Sequence, residues 1–416
     1  MANRSVNLDP KVFSISDLKR EGSARLPPMY RDFYNEGAMD METLRENEEA
    51  YRRYKIRPRI LVNVDHVDTS AEIFGVKVPF PLGFSPSAMH QLAHPEGEVA
   101  TSKAAAAEGI CMGLSSYSTV SLEEVAQQGL GNPLFMQVCV LKDRRTTLQL
   151  LKRAEAAGYK AIFVSVDVPV LGRRLNEMRN SFTLPEDMQL PNLLSDGRKE
   201  FSGGNAATAF DASLDWDSAI PWLKENTKMQ IWLKGGQLIH REIAQRSFAD
   251  DRPVNTPEDV QMAIDHNLDG VVISNHGGRQ LDGIAATLDT LRVCAPLAKG
   301  KIQIAVDGGV RKGSDIFKAI ALGADHVFVG RIPIWGLAYN GQKGVELAIK
   351  MLKEEFAVTM RLAGCASVKD ITPDRLAYLR QDGILAKFET SFVDKRVNVA
   401  GLNRQDSHAF KIQRFT

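Results

Sequence analysis

One segment places a histidine directly before two glycines and an arginine: Ser274-Asn275-His276-Gly277-Gly278-Arg279-Gln280. An imidazole titrates near neutrality, so it can take up a proton at physiological pH. A guanidinium a few residues on can clamp a carboxylate through two parallel hydrogen bonds. A second segment, Asp167-Val168-Pro169-Val170-Leu171-Gly172-Arg173-Arg174, offers a carboxylate to orient the imidazole and a further arginine pair. Lys234, followed by glycines, suits an electron-rich neighbour such as a reduced cofactor whose anion it could neutralise. Asp307-Gly308-Gly309-Val310-Arg311-Lys312-Gly313 and Gly330-Arg331 combine basic side chains with glycines, whose backbone N–H groups can approach phosphate oxygens. One base, several cations and a phosphate anchor suit proton abstraction next to a carboxylate.

These residues lie far apart, so the fold must bring them together. Each stands at or just beyond the end of a short apolar run rich in β-branched residues. There are eight such runs: Pro81–Ser85, Ile110–Ser115, Pro133–Val138, Lys160–Asp167, Met229–Lys234, Gly270–Asn275, Lys301–Asp307 and Asp325–Gly330. Ser87, Ser115, Gln137, Asp167, Lys234, His276, Asp307 and Arg331 mark their ends in turn. Taken alone, Ser87 or Asp307 reads as well as a turn former or helix cap. Several runs follow a helix-like stretch that stops at glycine, as in Ala104–Gly109, Leu148–Gly158 and Ile316–Gly323. That alternation is how βα units with a doubly covered parallel sheet read. Eight units predict a single (β/α)₈ TIM barrel, an α/β fold whose active sites form at the C-terminal ends of its strands. A doubly wound sheet would carry a Gly-x-Gly-x-x-Gly turn after its first strand, and none is there. Short apolar runs can also be buried helix segments, so periodicity leaves one or two of them open.

Outside the repeat, residues 13–56 read as helices laid before the barrel, with Ser14-Ile15-Ser16-Asp17 as a capping box. Residues 172–228, which include Ser202-Gly203-Gly204-Asn205, and the segment Gln237–Val254 form long loops at the barrel mouth. The expected division is a barrel unit over 1–380, with the helical segment included, and a C-terminal extension over 381–416.

Among 416 residues, 52 Lys and Arg balance 51 Asp and Glu. That balance argues against a surface made for nucleic acid or anionic lipid. Cys111, Cys139, Cys294 and Cys365 have no zinc-type or redox-type spacing, so no metal site is expected. Four cysteines in a chain this long point to a reducing compartment. No apolar run reaches a membrane span, the first residues lack a secretory core, and Arg414-Phe415-Thr416 is not a peroxisomal address. A cytoplasmic location is the expectation.

The chain resembles the FMN-dependent α-hydroxy acid dehydrogenase/oxidase family, which includes glycolate oxidase, lactate oxidase and the flavin domain of flavocytochrome b2. The resemblance covers about residues 13–380 and rests first on the Ser274–Gln280 segment. Supporting it are Arg57-Pro58-Arg59, Ser85-Pro86-Ser87-Ala88-Met89, Ala93-His94-Pro95-Glu96-Gly97, Leu171-Gly172-Arg173-Arg174, Asp307-Gly308-Gly309-Val310-Arg311 and Val329-Gly330-Arg331. It implies FMN as cofactor, with His276 as the base, Asp167 paired to it, and Arg279 and Arg174 on the substrate carboxylate. Lys234 would lie near the flavin N1–C2 carbonyl region, and Pro86, Ser87 and Ala88 near the N5 edge. Ser115, Gln137, Ser165 and Ser274 would lie along the ring, with Asp307, Gly309, Arg311, Gly330 and Arg331 around the ribityl chain and phosphate. It further implies a small carboxylate-bearing substrate, molecular oxygen as the expected electron acceptor, and a homo-oligomer, often a tetramer.

Three positions depart from the family pattern. The first aromatic of Asp32-Phe33-Tyr34, usually a tyrosine, is Phe33; a second active-site tyrosine is Cys139; and the aromatic after the second run, often tryptophan, is Tyr117. Losing two phenolic hydroxyls removes hydrogen bonds to a small polar substrate and makes the pocket larger and more apolar. The reaction expected is oxidation of a 2-hydroxy acid larger than glycolate to its 2-oxo acid. The alternative is a flavin oxidase of secondary metabolism that dehydrogenates a C–N or C–O bond next to a carboxylate. From other classes, a non-catalytic phosphate- or flavin-binding scaffold would have no use for the base. A sugar-phosphate barrel using Lys234 as a Schiff base would be colourless.

Overall fold

In a computed structural model describing residues 7–193, 210–235, 257–379 and 383–387, the eight apolar runs form eight parallel strands. They are β1 (Leu82–Phe84), β2 (Cys111–Leu114), β3 (Leu134–Val138), β4 (Ala161–Ser165), β5 (Gln230–Lys234), β6 (Gly270–Ile273), β7 (Gln303–Asp307) and β8 (His326–Val329). Each pairs with the next and β8 pairs back onto β1, closing the barrel. Every strand is followed by a covering helix, from Gly97–Ala107 after β1 to Arg331–Ala363 after β8. Side-chain oxygens of Ser121, Asp143 and Asp215 accept first-turn N–H groups at three of the helix starts. Gly109, Gly158 and Gly323 end three of these helical stretches at positive φ, of 66°, 86° and 108°.

Side chains alternate along a strand, so every second residue points into the barrel. The middle layer of that interior is aromatic: Phe135, Phe163, Trp232 and Phe328 pack with Cys111, Val272 and Ala305. Phe135 stacks on Phe163 with centroids 3.7 Å apart, and Phe163 on Trp232 at 5.4 Å. A hairpin of Ala71–Ile73 and Val76–Val78 closes the N-terminal end, setting the Phe74 ring edge-on against the same three aromatics. Large rings fit because neighbouring strands carry glycine: a Cβ on Gly113 would lie 2.2 Å from the Phe135 ring, and one on Gly270 2.2 Å from Trp232. Gly113→Ala should therefore overpack the layer by ~1–3 kcal/mol. A lowered denaturation midpoint with unchanged m-value is the expected result; an unaltered midpoint would show that the rings can shift at no cost.

Before the barrel run α1 (Ile15–Ser23), α2 (Pro28–Asn35) and α3 (Glu42–Arg53), then the short strand Tyr54–Ile56. The Ser14 hydroxyl accepts the Asp17 N–H at 3.1 Å, while the Asp17 carboxylate reaches back to the Phe13 N–H, one residue before the expected box position. Gly22 lets α1 approach helix Arg331–Ala363, since a Cβ there would lie 2.3 Å from the Trp335 carbonyl. The strand Tyr54–Ile56 pairs with Leu376–Leu379, which pairs in turn with Leu385–Lys387. Of the first expected mouth excursion, helices Leu175–Arg179 and Trp216–Asn226 are in place. Ser202–Asn205, Gln237–Val254 and most of 381–416 lie outside the described residues. Among the described residues, no helix is long and apolar enough to cross a membrane, and no cluster of His, Cys, Asp and Glu could hold a metal ion.

Candidate active site

One step above the aromatic layer, the same alternation makes the barrel interior polar. The next inward position on the strands is Ser85, Ser115, Gln137, Ser165, Lys234, Ser274, Asp307 or Gly330, two residues on from Gly83, Gly113, Phe135, Phe163, Trp232, Val272, Ala305 and Phe328. All of these residues except Gly330 are buried. They are also bonded to one another. Gln137 donates to the Ser165 hydroxyl at 3.1 Å and to the Cys139 sulfur at 3.4 Å. Its carbonyl oxygen accepts from the hydroxyls of Ser115 and Ser116 and from the Ser116 N–H. The Lys234 ammonium donates to the Ser274 hydroxyl at 3.0 Å and lies 3.6 Å from Asp307 Oδ2, which also accepts from Ser85.

The layer is incompletely paired within the protein. Asp307 Oδ1 and Arg311 Nε are buried without a hydrogen-bond partner among the described residues. An unpaired buried carboxylate oxygen and an unpaired buried guanidinium N–H are costly unless a ligand meets them. Hydroxyl donors along a chain ending in an anion are the ligand chemistry this pair fits, and Gly308 and Gly309, at φ 98° and 77°, turn the backbone between them. Arg331 is differently employed. Its guanidinium donates to the carbonyls of Tyr34, Glu36 and Gly277, so it contributes charge at this end while its N–H groups brace the loops. Burial, and then Arg311 nearby, pull Arg331 down to about 10. Ser87 bridges the carbonyls of Gly330 and Ser85, and the Tyr34 hydroxyl donates to the carbonyl of Met89, in the loop that also carries Pro86 and Ala88.

Beside this layer stands the histidine. His276 Nδ1 lies 3.2 Å from both oxygens of Asp167, so Nδ1 carries the proton shared with the carboxylate and Nε2 is left as the basic nitrogen. Burial lowers the His276 pKa, and Asp167 opposes that shift only in part. Burial would raise the Asp167 carboxyl, but His276 and then Lys234 outweigh it and hold it below the usual carboxylate range. At neutral pH the pair is therefore a carboxylate beside a neutral imidazole. His276 itself sits at φ 55°, followed by Gly277 at 63° and Gly278 at 77°. A left-handed conformation is strained for a histidine and marks a position held by its surroundings.

Those surroundings come from the N-terminal helices. Asn47 on α3 exchanges two amide hydrogen bonds of 2.8 Å with Asn275, and the Asp282 carboxylate accepts the N–H groups of Asp40, Glu42 and Thr43. Gly278 lies so close to α3 that a Cβ would sit 2.7 Å from the Leu44 nitrogen. On the other side, Gly235 follows β5 at φ 102°, and a Cβ there would lie 2.5 Å from Asp167 Cγ. Gly235→Ala should displace Asp167 and lower turnover by about 10–100-fold, on the scale of misplacing a catalytic group by 1 Å. Steady-state kinetics on a variant shown to be folded would show it, and near-normal turnover would mean that Asp167 can move aside without loss.

The arginines complete the polar side. Arg279 donates to the carbonyls of Phe33 and Glu36 and, at 2.9 Å, to Glu177 Oε1. Arg174 donates to the Arg279 carbonyl and to Gln280 Oε1, and lies 3.6 Å from Glu177 Oε2. Opposite them the wall is apolar. The Phe33 ring lies under the Arg279 guanidinium at 4.7 Å and stacks on Phe182 with centroids 4.6 Å apart. Cys139 packs with Leu141, Leu190 and Leu193, against which Met89, Tyr117, Leu184 and Phe210 also rest. Burial pushes the Cys139 thiol up to about 12, so it serves as an apolar group and not as a nucleophile.

Comparison with known proteins bears on what this arrangement is. The sequence profile described as FMN-dependent dehydrogenase matches residues 22–378. An oxidase of Fusarium oxysporum f. sp. lycopersici, Oxidase FUB9, is 49% identical over 381 residues, covering 90% of this chain and 94% of its own. Human 2-Hydroxyacid oxidase 1 is 41% identical over 372 residues, covering 87% and 95%. Among solved structures, a mandelate oxidase variant with (S)-mandelic acid superposes with a TM-score of 0.76 at 36% identity, covering 88% and 98%.

Proposed function

The chain belongs to the FMN-dependent dehydrogenase family, an FMN-dependent hydroxy acid oxidase group, and on that premise we propose that it oxidises a 2-hydroxy acid with a large apolar substituent to the 2-oxo acid. The observation that carries the reading is the His276–Asp167 pair, with Nε2 left basic beside two arginines at the mouth of the barrel. Bound FMN supplies the two-electron acceptor. The protein's part is binding, orientation and proton handling. Asp307, Arg311, Gly309 and Gly330 would hold the ribityl and phosphate end. Ser115, Gln137, Ser165 and Ser274 would lie along the ring, and Pro86, Ser87 and Ala88 near its N5 edge. Lys234 would set a positive charge near the ring where negative charge develops. Arg279 and Arg174 fix the substrate carboxylate, which fixes the α-carbon beside His276. His276 Nε2 takes the proton, and Asp167 stabilises the resulting imidazolium through Nδ1. Molecular oxygen as the final acceptor and a cytoplasmic location complete the proposal.

The substrate class follows from the apolar wall. Phe33 and Cys139 carry no phenolic hydroxyl, and Phe182, Leu184 and Phe210 extend the same surface. Each methylene buried there is worth ~0.8 kcal/mol. Anaerobic reduction of the flavin with a series of (S)-2-hydroxy acids should show kcat/KM rising about tenfold or more from glycolate to long-chain or aryl-substituted acids. Glycolate as the best substrate would overturn the assignment. A second reading, dehydrogenation of a C–N bond next to a carboxylate, is favoured by the same missing hydroxyls, because they leave no phenol to bond a substrate hydroxyl. It predicts bleaching by a 2-amino or cyclic imino acid and none by its hydroxy counterpart.

A further inference from the structure

Two guanidiniums side by side in a nearly closed site repel one another and need an anion between them. The side chains of Arg279 and Arg174 are each only 14% exposed. The anion present is Glu177, on the short helix Leu175–Arg179, three residues after Arg174. Its two oxygens span the pair, Oε1 on Arg279 at 2.9 Å and Oε2 towards Arg174 at 3.6 Å. Several of the other donors are committed elsewhere. Arg279 uses its other terminal nitrogen on the carbonyls of Phe33 and Glu36, and Arg174 uses Nε and one N–H of its other terminal nitrogen on the Arg279 carbonyl and Gln280. Glu177 faces terminal nitrogens that a substrate carboxylate would also seek, Arg279 at 2.9 Å and Arg174 at 3.6 Å.

We propose that Glu177 is an internal competitor for the substrate carboxylate, occupying the Arg279–Arg174 pair between turnovers and yielding it when substrate binds. The inference rests on reading that pair as the carboxylate clamp. It makes Glu177 a threshold that every carboxylate must clear, so that acids with further contacts are the ones that reach useful affinity. A small acid offers the arginines only what Glu177 offers, and gains nothing to displace it. An acid whose substituent also covers Phe33, Phe182 and Leu184 adds apolar burial that Glu177 cannot match. The side chain is suited to the exchange: it is 18% exposed and is carried on a helix with no buried residue, so it can turn outward without opening the core.

The test is a titration of the oxidised, FMN-loaded protein with acetate and with phenylacetate, followed by the change in flavin absorbance. Neither probe has an α-hydroxyl, so neither can be oxidised, and the result is independent of which substrate class is correct. In Glu177→Gln and in Glu177→Ala both anions should bind about tenfold more tightly than in the natural protein. The ratio of phenylacetate to acetate affinity should stay within about twofold, because the apolar wall is untouched. Phenylacetamide, which carries no charge, should not gain. Retained flavin absorbance shows that each variant is folded. Weaker anion binding in both variants would mean that Glu177 positions the arginines and does not compete, and would overturn the proposal; so would unchanged binding. If neither anion perturbs the flavin in any of the proteins, the arginine pair is not a carboxylate clamp and the inference falls with it. A wrong assignment of the reaction would instead appear as failure of every 2-hydroxy acid to bleach the flavin, with these titrations unaffected.

Discussion

Replacing His276 by alanine should slow anaerobic flavin reduction by about 10²–10⁴, the range supplied by a positioned general base, while FMN remains bound. The expectation follows from the placement of the ring. Nδ1 is tied to both oxygens of Asp167, so the imidazole has one tautomer and one basic nitrogen. The polar layer proposed to hold FMN lies beneath it, and His276 meets that layer through its backbone N–H, which donates to the Ser274 hydroxyl. Alanine preserves that bond, although it inherits the left-handed backbone. Flavin absorbance of the purified variant separates loss of the base from loss of the cofactor, and a fall in rate of less than tenfold would remove His276 from the chemistry. The natural protein should show the matching pH dependence. The active form is the neutral imidazole, so kcat/KM falls as pH falls through the His276 pKa and is level above it. Burial places that fall below the ordinary imidazole value of about 6.5. A rate that declined with rising pH near neutrality would mean that the charged form is the active one.

Much of this site was legible because a barrel makes two local signals coincide. A βα repeat is visible as apolar runs separated by glycine-terminated helices, and all eight runs became barrel strands. The residues that end those runs must then converge, whatever their separation in sequence. Period-two alternation sharpens the rule: from Phe135, Phe163 and Trp232 in the aromatic layer it leads directly to Gln137, Ser165 and Lys234. Applied to the first run it leads from Gly83 to Ser85, which the attention to Ser87 passed over, although Ser85 is the one bonded to Asp307. Ser116 escaped notice because it joins Gln137 from a loop, where no alternation applies. Asn47 and Asp282 carry no local mark at all, since an asparagine in an amphipathic helix and an aspartate in a turn are ordinary. Only the docking of α3 on the Ser274–Gln280 loop turns them into its supports. Glu177 was hidden for the opposite reason. Three residues after an arginine on a helix, a glutamate reads as a surface ion pair, and the second arginine that changes its meaning is 102 positions away.

Lys234→Met should damage the protein twice, and the two effects can be told apart. The ammonium is buried between Ser274 and Asp307, with side-chain exposures of 4% for Lys234 and 8% for Asp307. Removing one partner of a buried pair leaves the other charge uncompensated, at a cost of ~3–5 kcal/mol. Asp307 is poorly placed to absorb that loss, because among the described residues Oδ1 has no partner and Oδ2 keeps only Ser85. Denaturant unfolding of the variant, with an unchanged m-value and a lowered midpoint, would show the loss. The second effect concerns the flavin. On the proposed placement of Lys234 beside the ring, its loss removes a counter-charge from the reduced, negatively charged form, so the reduction potential and the rate of reduction should both fall. A double variant, Lys234→Met with Asp307→Asn, separates the roles. Removing both charges abolishes the unpaired carboxylate, so stability should return towards that of the natural protein. The flavin potential should stay low, because the cation is still missing. A potential restored along with stability would show that Lys234 serves the fold alone and that the charge facing the flavin comes from elsewhere.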